Sequence, residues 1–129
     1  MKYSIDRVLD GRSFDEVVSR ARETLAEQGF GVLTEIDVKA TLKKKLDVDT
    51  RPYLILGACN PRLAHRVLEM EPRIGVLLPC NVVVRELDDG RIEVSAMDPA
   101  AAMQVVDNPG VGEVAAQVRE LLSRAVQAI

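Results

Sequence analysis

The chain has 129 residues, enough for one domain, since two halves would each be too small to bury a core. Hydrophobic residues make up 47% and charged residues 29%, a balance typical of globular proteins and not of disordered ones. A net charge of −3, with two Tyr, two Phe and no Trp, argues against a nucleic-acid binder, which needs basic surface and stacking aromatic rings.

The chain begins with a predicted strand and a predicted helix. Residues 2–9 form a short strand in this interpretation, with little alternation to support it. Ser13, followed by Glu16 three residues later, is the pattern of a capping box. It predicts a helix over residues 14–28, which Gly29 ends.

A second strand follows the glycines at 29 and 31, and its two faces are expected to differ. Alternation predicts one face with Val32, Thr34 and Ile36, and another with Leu33, Glu35 and Asp37. A half-exposed strand face explains the two carboxylates. As an alternative, paired acids could hold a cation or transfer protons.

The middle of the chain predicts a short helix and a buried strand. Val38, Leu42 and Leu46 have helical spacing beside a run of lysines, and Pro52 is expected to mark the end of this helix. Residues 53–58 are nearly all apolar, which indicates a strand buried on both faces.

Asn60-Pro61 then starts a third helix, because Asn is a favoured N-cap and Pro a favoured first residue. This helix ends at Pro72, and residues 75–87 predict a strand interrupted at Pro79. Asp88-Asp89-Gly90 is a hairpin signal that leads into a strand over residues 91–97.

The last part of the chain predicts two helices. Asp98-Pro99 repeats the cap-and-proline pattern before a short helix. Asn108-Pro109-Gly110 is interpreted as a break, followed by a long amphipathic helix over residues 111–127.

These elements predict an α+β fold with the order β-α-β-α-β-α-β-β-α, in one domain that spans residues 1–129. The simplest arrangement is a mixed, mostly antiparallel curved sheet with the helices packed on one face. The other face would then be open to solvent or covered by a second copy of the chain.

The start of the chain has no apolar stretch typical of a signal peptide, and the apolar runs are far shorter than the ~20 residues that span a bilayer. We therefore expect a cytoplasmic protein that does not enter a membrane. In that reducing compartment, the two cysteines are expected to be free thiols.

Cys59 lies between an apolar strand and a helix N-terminus, whose positive end can lower the pKa of a thiol. Cys80 follows Pro79 at a break in another apolar strand, so the two sulfurs would be close if these strands are neighbours. The alternative is that both thiols are small buried hydrophobic groups.

A closed zinc site needs four ligands, and the cysteines lack the close spacing of such sites. The single histidine, His65, lies off the apolar stripe of its helix and is expected to be exposed. A site completed by Asp, Glu or a second subunit remains open, and no cofactor is indicated. Asn60 has a capping role, whereas Asn81 lies within a strand and is the more informative of the two amides.

Several motifs together resemble the domain of unknown function 302 family over nearly the whole chain. They are Gly29-Phe30-Gly31-Val32, Glu35-Ile36-Asp37, Leu56-Gly57-Ala58-Cys59-Asn60-Pro61, Leu77-Leu78-Pro79-Cys80-Asn81-Val82 and Asp98-Pro99. The resemblance implies a TATA-binding-protein-like α+β fold, a homodimer and prokaryotic cytoplasmic relatives. It implies no activity and no catalytic residues.

The sequence predicts a homodimeric module that binds a small molecule or a metal ion near Cys59, Asn60, Cys80 and Asn81, with Glu35 and Asp37 as further candidates. The alternative is a thiol-dependent redox or transfer enzyme that uses the two cysteines. In a third interpretation these residues only maintain the fold. No nucleic-acid or membrane partner is expected.

Overall fold

The structure, a computed structural model, describes residues 2–129, and five strands in this range form one sheet. The strands are β1 (Ser4–Leu9), β2 (Gly31–Asp37), β3 (Tyr53–Cys59), β4 (Cys80–Glu86) and β5 (Ile92–Met97). The order across the sheet is β1-β5-β4-β3-β2, and each of the four pairings is antiparallel. The predicted α+β class with a mostly antiparallel sheet is confirmed.

Residues 2–129 also form five α-helices and two short 3₁₀ helices. The α-helices are α1 (Phe14–Glu27), α2 (Val38–Leu46), α3 (Pro61–Met70), α4 (Pro99–Ala102) and α5 (Pro109–Gln127). The 3₁₀ helices are Pro72–Leu77 and Met103–Val105, and α4, the second 3₁₀ helix and α5 follow the last strand. Within residues 2–129, no helix combines the length and the apolar character that crossing a bilayer requires.

The predicted helix starts at Ser13, Asn60 and Asp98 are confirmed, since each side chain accepts a hydrogen bond from the first turn of its helix. Ser13 and Glu16 form the complete capping box. Asn108 is a further N-cap, and its side chain accepts a hydrogen bond from the backbone N–H of Gly110 at 3.0 Å. The segment interpreted as a break is therefore the start of α5, two residues earlier than predicted.

The main core lies between the sheet and the two long helices α1 and α5. Its members are mostly aliphatic, as the scarcity of aromatic residues requires, and Phe30 is its buried aromatic side chain. They include Val17, Ala21 and Leu25 of α1, Leu56, Val82, Val84 and Val94 of the central strands, and Leu122 and Val126 of α5. A second cluster joins α3 to the N-terminal half of α5, and Met103 belongs to it. On the opposite face, the groove over β1, β5, β4 and β3 is lined by no helix residue within residues 2–129.

One arginine ties the first strand to the end of the last helix. The guanidinium of Arg7 donates hydrogen bonds to the carbonyl oxygens of Val126, Gln127 and Ile129, at 3.2, 2.6 and 2.9 Å. These carbonyl groups are at the C-terminal end of α5, where they have no regular partner within the helix. The helix dipole also favours a cation at this end.

The predicted alternation of β2 is wrong because the strand contains a bulge. Val32 pairs with Ala58, but Thr34 pairs with Gly57, so Leu33 is an extra residue. As a result Val32 shares the helix side of the sheet with Ala58, whereas Thr34 lies on the open side. The alternation of side chains along a strand assumes that every residue is paired, so it could not predict that Leu33 is an extra residue.

Two predicted boundaries are also wrong. The strand predicted over residues 75–87 begins only at Cys80, after a 3₁₀ helix and a cis peptide bond between Leu78 and Pro79. Pro72 is favoured at the first position of a helical turn, and residues 72–77 form the 3₁₀ helix where the sequence predicted the start of a strand. Helix α2 ends at Leu46, where Asp47 adopts a left-handed conformation with φ of 54°, and not at Pro52.

Candidate functional site

The four residues of the two Cys-Asn pairs do not form one site. Adjacent residues of a strand point to opposite faces, and Cys80 lies buried on the helix side while Asn81 is exposed on the open side. Cys59, Asn60 and Cys80 line one cavity, and Asn81 lines a separate groove.

The first of these spaces, here called the thiol cavity, lies where β3 and β4 meet α3 and α5. Its walls are mainly apolar and include Phe30, Leu63, Val67, Met103, Val114 and Val118 besides the two cysteines. The cavity measures about 30 Å³. This volume holds about one water molecule, whereas pockets for organic ligands measure roughly 300–1,000 Å³. The thiol cavity can therefore hold a single ion or a water-sized species.

Both cysteines are free, as predicted, and burial disfavours the thiolate form of each. Burial raises the pKa of Cys59. Burial, and then the charge of the Cys59 thiolate, raise the pKa of Cys80 to about 11. The prediction that the start of α3 lowers the pKa of Cys59 is wrong. The Asn60 side chain accepts the N–H of Leu63 at 3.4 Å, so this donor of the first turn points to the cap.

Asn60 also packs against the turn between α1 and β2. A Cβ atom at Gly29 would lie 3.1 Å from Nδ2 of Asn60, and Gly29 has φ of 86°. Gly31, two residues later, pairs with Cys59 across the β2–β3 ladder. The glycine motif and the first Cys-Asn pair therefore meet in the fold, and Asn60 has a structural role there.

Glu35 and Asp37 each have a partner of their own, and neither lines the thiol cavity. The Glu35 carboxylate forms an ion pair with Arg22 of α1. Asp37 is the N-cap of α2 and accepts the N–H of Ala40 at 2.9 Å. Across residues 2–129, no group of three or more His, Cys, Asp and Glu side chains is placed to hold a metal ion. His65 is exposed, as predicted, and lies 2.9 Å from Glu69.

The second space, here called the open-face groove, runs over β1, β5, β4 and β3 on the face of the sheet opposite the main core. Its volume is about 530 Å³, and it contains both tyrosines of the chain. The lining residues are Tyr3, Ser4, Asp6, Tyr53, Asn81, Val83, Arg85, Glu93, Ser95, Ala96 and Met97. Asn81 pairs with Gly57, which presents no side chain to it.

Charged groups line this groove, and most of them are paired. Nε of Arg85 lies 2.8 Å from Oε1 of Glu93 on the neighbouring strand. Burial tends to raise the pKa of Asp6, but hydrogen bonds from Ser95 and Ser4 and the charge of Lys2 outweigh it and lower the pKa. Asp6 is thus a carboxylate at neutral pH. Asn81 takes part in none of the side-chain hydrogen bonds found within residues 2–129.

Tyr53, Tyr3 and Met103 are among the residues of these spaces that sequence reasoning missed. Tyr53 could have been found, because it has the same parity as Ile55 and Gly57 in β3 and so shares their face. Tyr3 precedes β1, and Met103 lies in a 3₁₀ turn. The sequence carries no local signal that brings these two residues to their sites.

The comparisons with known proteins concern the whole fold. The model of the family described as "Domain of unknown function DUF302" matches residues 6–129. The chain is also similar to a crystal structure of an uncharacterized conserved protein DUF302 from Bacillus stearothermophilus, with 28% identity and a TM-score of 0.91. That similarity covers 99% of this chain and 98% of the other. No match is found among curated proteins.

Proposed function

Because the chain belongs to the DUF302 family, a domain of unknown function, we propose a function from its own geometry: it is a module that binds a small molecule in the open-face groove. The observation that carries the proposal is the groove volume of about 530 Å³ around Asn81. This volume lies in the range of small-molecule pockets, roughly 300–1,000 Å³. Asn81 is exposed on a strand, and its side chain makes no hydrogen bond within residues 2–129, so its amide has both donors and an acceptor free for a ligand.

The chemistry of the lining favours a neutral amphipathic ligand. Val83 and Met97 give the groove an apolar floor, and the tyrosine rings add flat apolar surface with a hydroxyl at the edge. Arg85 is neutralised by Glu93, and Asp6 lies 3.5 Å from Nζ of Lys2. A ligand with a net charge would have to compete with these pairs, whereas a neutral hydrogen-bonding ligand would not.

A homodimer, predicted from the sequence, would complete this site. The groove is open to solvent, whereas pockets usually bury most of a ligand's surface. Apolar side chains extend the same face beyond the groove: Ile36 is 50% exposed and Val8 is 39% exposed. A second copy packed on this face would cover these residues and close the groove. A cytoplasmic location remains a prediction that fits the two free thiols.

The thiol-dependent enzyme remains the alternative, and the raised pKa of each cysteine disfavours it. A thiolate attacks as the nucleophile, and burial reduces its population at neutral pH. The small thiol cavity also has no room for an organic substrate beside the sulfurs.

The test is a thermal-shift screen of neutral amphipathic compounds, followed by calorimetry on each hit. A ligand at about a hundred times its Kd is expected to stabilise the folded chain by about 2.7 kcal/mol. Asn81→Ala and Tyr53→Ala should abolish the shift. Gln117→Ala, which removes an exposed amide on α5, is the matched control and should retain it. Hits that stabilise Asn81→Ala as much as the parent chain, or no hits at all, would overturn the proposal.

The dimer is tested separately by light scattering, with and without the ligand. We expect twice the mass of one chain, and Ile36→Glu should give the monomer because it adds a charge to the covered face. If the parent chain is monomeric and still binds a ligand in the groove, the proposed dimer is wrong and the proposed binding function stands.

A further inference from the structure

Arg85 in the open-face groove is held through one nitrogen of its guanidinium group, and the other two nitrogens are free. Its Nε atom donates a hydrogen bond of 2.8 Å to Oε1 of Glu93, the residue opposite it on β5. Within residues 2–129, neither Nη group of Arg85 makes a hydrogen bond. The side chain is 43% exposed and lines the groove, so a ligand there can reach both Nη groups. An arginine oriented in this way presents paired N–H donors that match the geometry of a carboxylate.

Asp6 supplies a charge of the opposite sign to the same groove. Its carboxylate accepts a hydrogen bond of 3.1 Å from the hydroxyl group of Ser4. The cation beside it is Lys2, whose side chain is 74% exposed and whose Nζ lies 3.5 Å away. An exposed ion pair of this kind contributes little to stability. A ligand ammonium group can therefore take the place of Lys2 at small cost.

The register of the sheet sets the distance between these two charged positions. Asp6 lies opposite Ser95 and Arg85 lies opposite Glu93, so the positions differ by two residues along β5 and by two strands across the sheet. With a rise of about 3.4 Å per residue and a strand spacing of about 4.8 Å, their Cα atoms are about 12 Å apart. An extended chain of about three residues is about 10 Å long, and the two side chains can bridge the difference.

We propose that the ligand of the open-face groove is a short peptide with free termini, about three residues long. Its carboxylate binds the Nη groups of Arg85, its ammonium group binds Asp6, and one of its peptide amides binds Asn81. This inference rests on the proposed function and names the class of its ligand. The peptide is a zwitterion, so it has no net charge, and each of its charged ends meets a group of opposite sign.

The middle of the groove suits the rest of such a peptide. Val83 lies opposite Ser95 in the β4–β5 ladder, midway along β4 between Asn81 and Arg85. An apolar side chain at the centre of the peptide would pack on Val83. The carboxamide of Asn81 has the donors and the acceptor that complement a peptide amide. A free amino acid is too short to reach both charges, because its ammonium and carboxylate groups are attached to one carbon atom.

Calorimetry with the unmodified chain tests the two ends of the peptide. The tripeptide alanyl-leucyl-alanine should bind, and capping either end should weaken binding by about tenfold or more. Amidation removes the carboxylate, and acetylation removes the ammonium charge. The form capped at both ends keeps the leucine and the amides, so it is the matched control ligand. If it binds as tightly as the free tripeptide, the termini are not recognised and the inference is wrong.

Variants assign each end of the peptide to its residue. Arg85→Gln should weaken binding of the free tripeptide by about tenfold or more and leave the affinity for the amidated form nearly unchanged. Asp6→Asn should do the same with respect to the acetylated form. Arg124→Gln breaks a similar pair, between Nε and the carboxylate of Glu120 on α5, and should bind as the parent chain does. Equal affinities in Arg85→Gln and Arg124→Gln would contradict the role of Arg85.

Failure of this inference can be told apart from failure of the proposed function. If no tripeptide binds, but another neutral compound binds and loses its affinity in Asn81→Ala, the peptide is wrong and the binding function stands. If no compound of either kind binds, both are wrong.

Discussion

Cys80 and Asn81 are neighbours in the chain, but their side chains lie on opposite faces of the sheet. Cys80 points into the interior between sheet and helices, and Asn81 points into the open-face groove. One dipeptide therefore contributes to two separate spaces. The equivalent pair, Cys59-Asn60, lies at the end of its strand, so its Asn caps a helix and does not enter the groove.

Gly57 is expected to be the glycine of the sheet that tolerates a side chain least. A Cβ atom there would collide with Oγ1 of Thr34 and would lie 2.9 Å from Cγ of Pro79. We expect Gly57→Ala to lower the free energy of unfolding by about 1–3 kcal/mol through overpacking. Denaturant unfolding followed by circular dichroism measures the change.

Gly31→Ala is the matched control, because it adds the same methyl group in a strand with no heavy atom within 4 Å. Adding Thr34→Ala to Gly57→Ala removes the colliding hydroxyl and should recover part of the lost stability. If Gly57→Ala and Gly31→Ala have the same effect, the contact with Thr34 is not the cause.

Stability should fall in alkaline solution because of Cys80. Its pKa is raised from 9.0 to about 11 in the folded chain, so the folded state keeps a proton that the unfolded state loses. The stabilisation is complete below the unfolded pKa and is lost as the pH rises from about 9 to about 11. A difference of two pKa units corresponds to about 3 kcal/mol.

Denaturant unfolding at about pH 8 and about pH 11 measures this loss. Cys80→Ala is less stable at both pH values, but its stability should change less between them. The same pH dependence in the parent chain and in Cys80→Ala would show that other groups cause it.

The native thiols should react slowly with a disulfide reagent. Near neutral pH we expect Cys59, which is partly buried, to react more slowly than a free cysteine, and Cys80 to react only after unfolding. In Cys59→Ala the native protein should show almost no reaction, whereas denaturant should expose one thiol. A rapid native reaction would instead favour the thiol-dependent enzyme.

Asp98 is a buried carboxylate with two structural roles, the cap of α4 and an ion pair with α5. It accepts the N–H of Ala100 at 2.9 Å and lies 3.0 Å from Nε of Arg119 on α5. Asp98→Ala removes both interactions and should cost about 1–3 kcal/mol of stability. Asp98→Asn retains a good N-cap and removes the charge, so it should lose less. If the two variants unfold alike, the cap contributes little and the ion pair dominates.

Local signals in the sequence predicted most of the elements. The side chains of Ser13, Asn60 and Asp98 act on backbone groups within a few residues, so their patterns are sufficient to place helix starts. The bulge at Leu33 was not predictable in this way, because it appears only when β2 pairs with β3.

The candidate site was predicted in part. The sequence led to Cys59 and Cys80, which do line one cavity, but it placed Asn81 with them. Alternation along β4 already separates the two neighbours, whereas the side that faces the helices depends on the packing of the whole sheet. Met103 reaches the cysteines through tertiary packing alone, and Glu35 is held by an ion pair to α1 that no local pattern indicates.

The pairing of β1 with β5, reinforced by Arg7 at the end of α5, has a consequence for synthesis on the ribosome. β1 emerges before the other four strands described here, and its only neighbour among them in the sheet is β5, which emerges after them. β1 therefore has no strand to pair with until the helices and strands between it and β5 have been translated. Nascent chains stalled before Ile92 should therefore be sensitive to proteases and bind chaperones, and protection should appear only after α5 has left the exit tunnel.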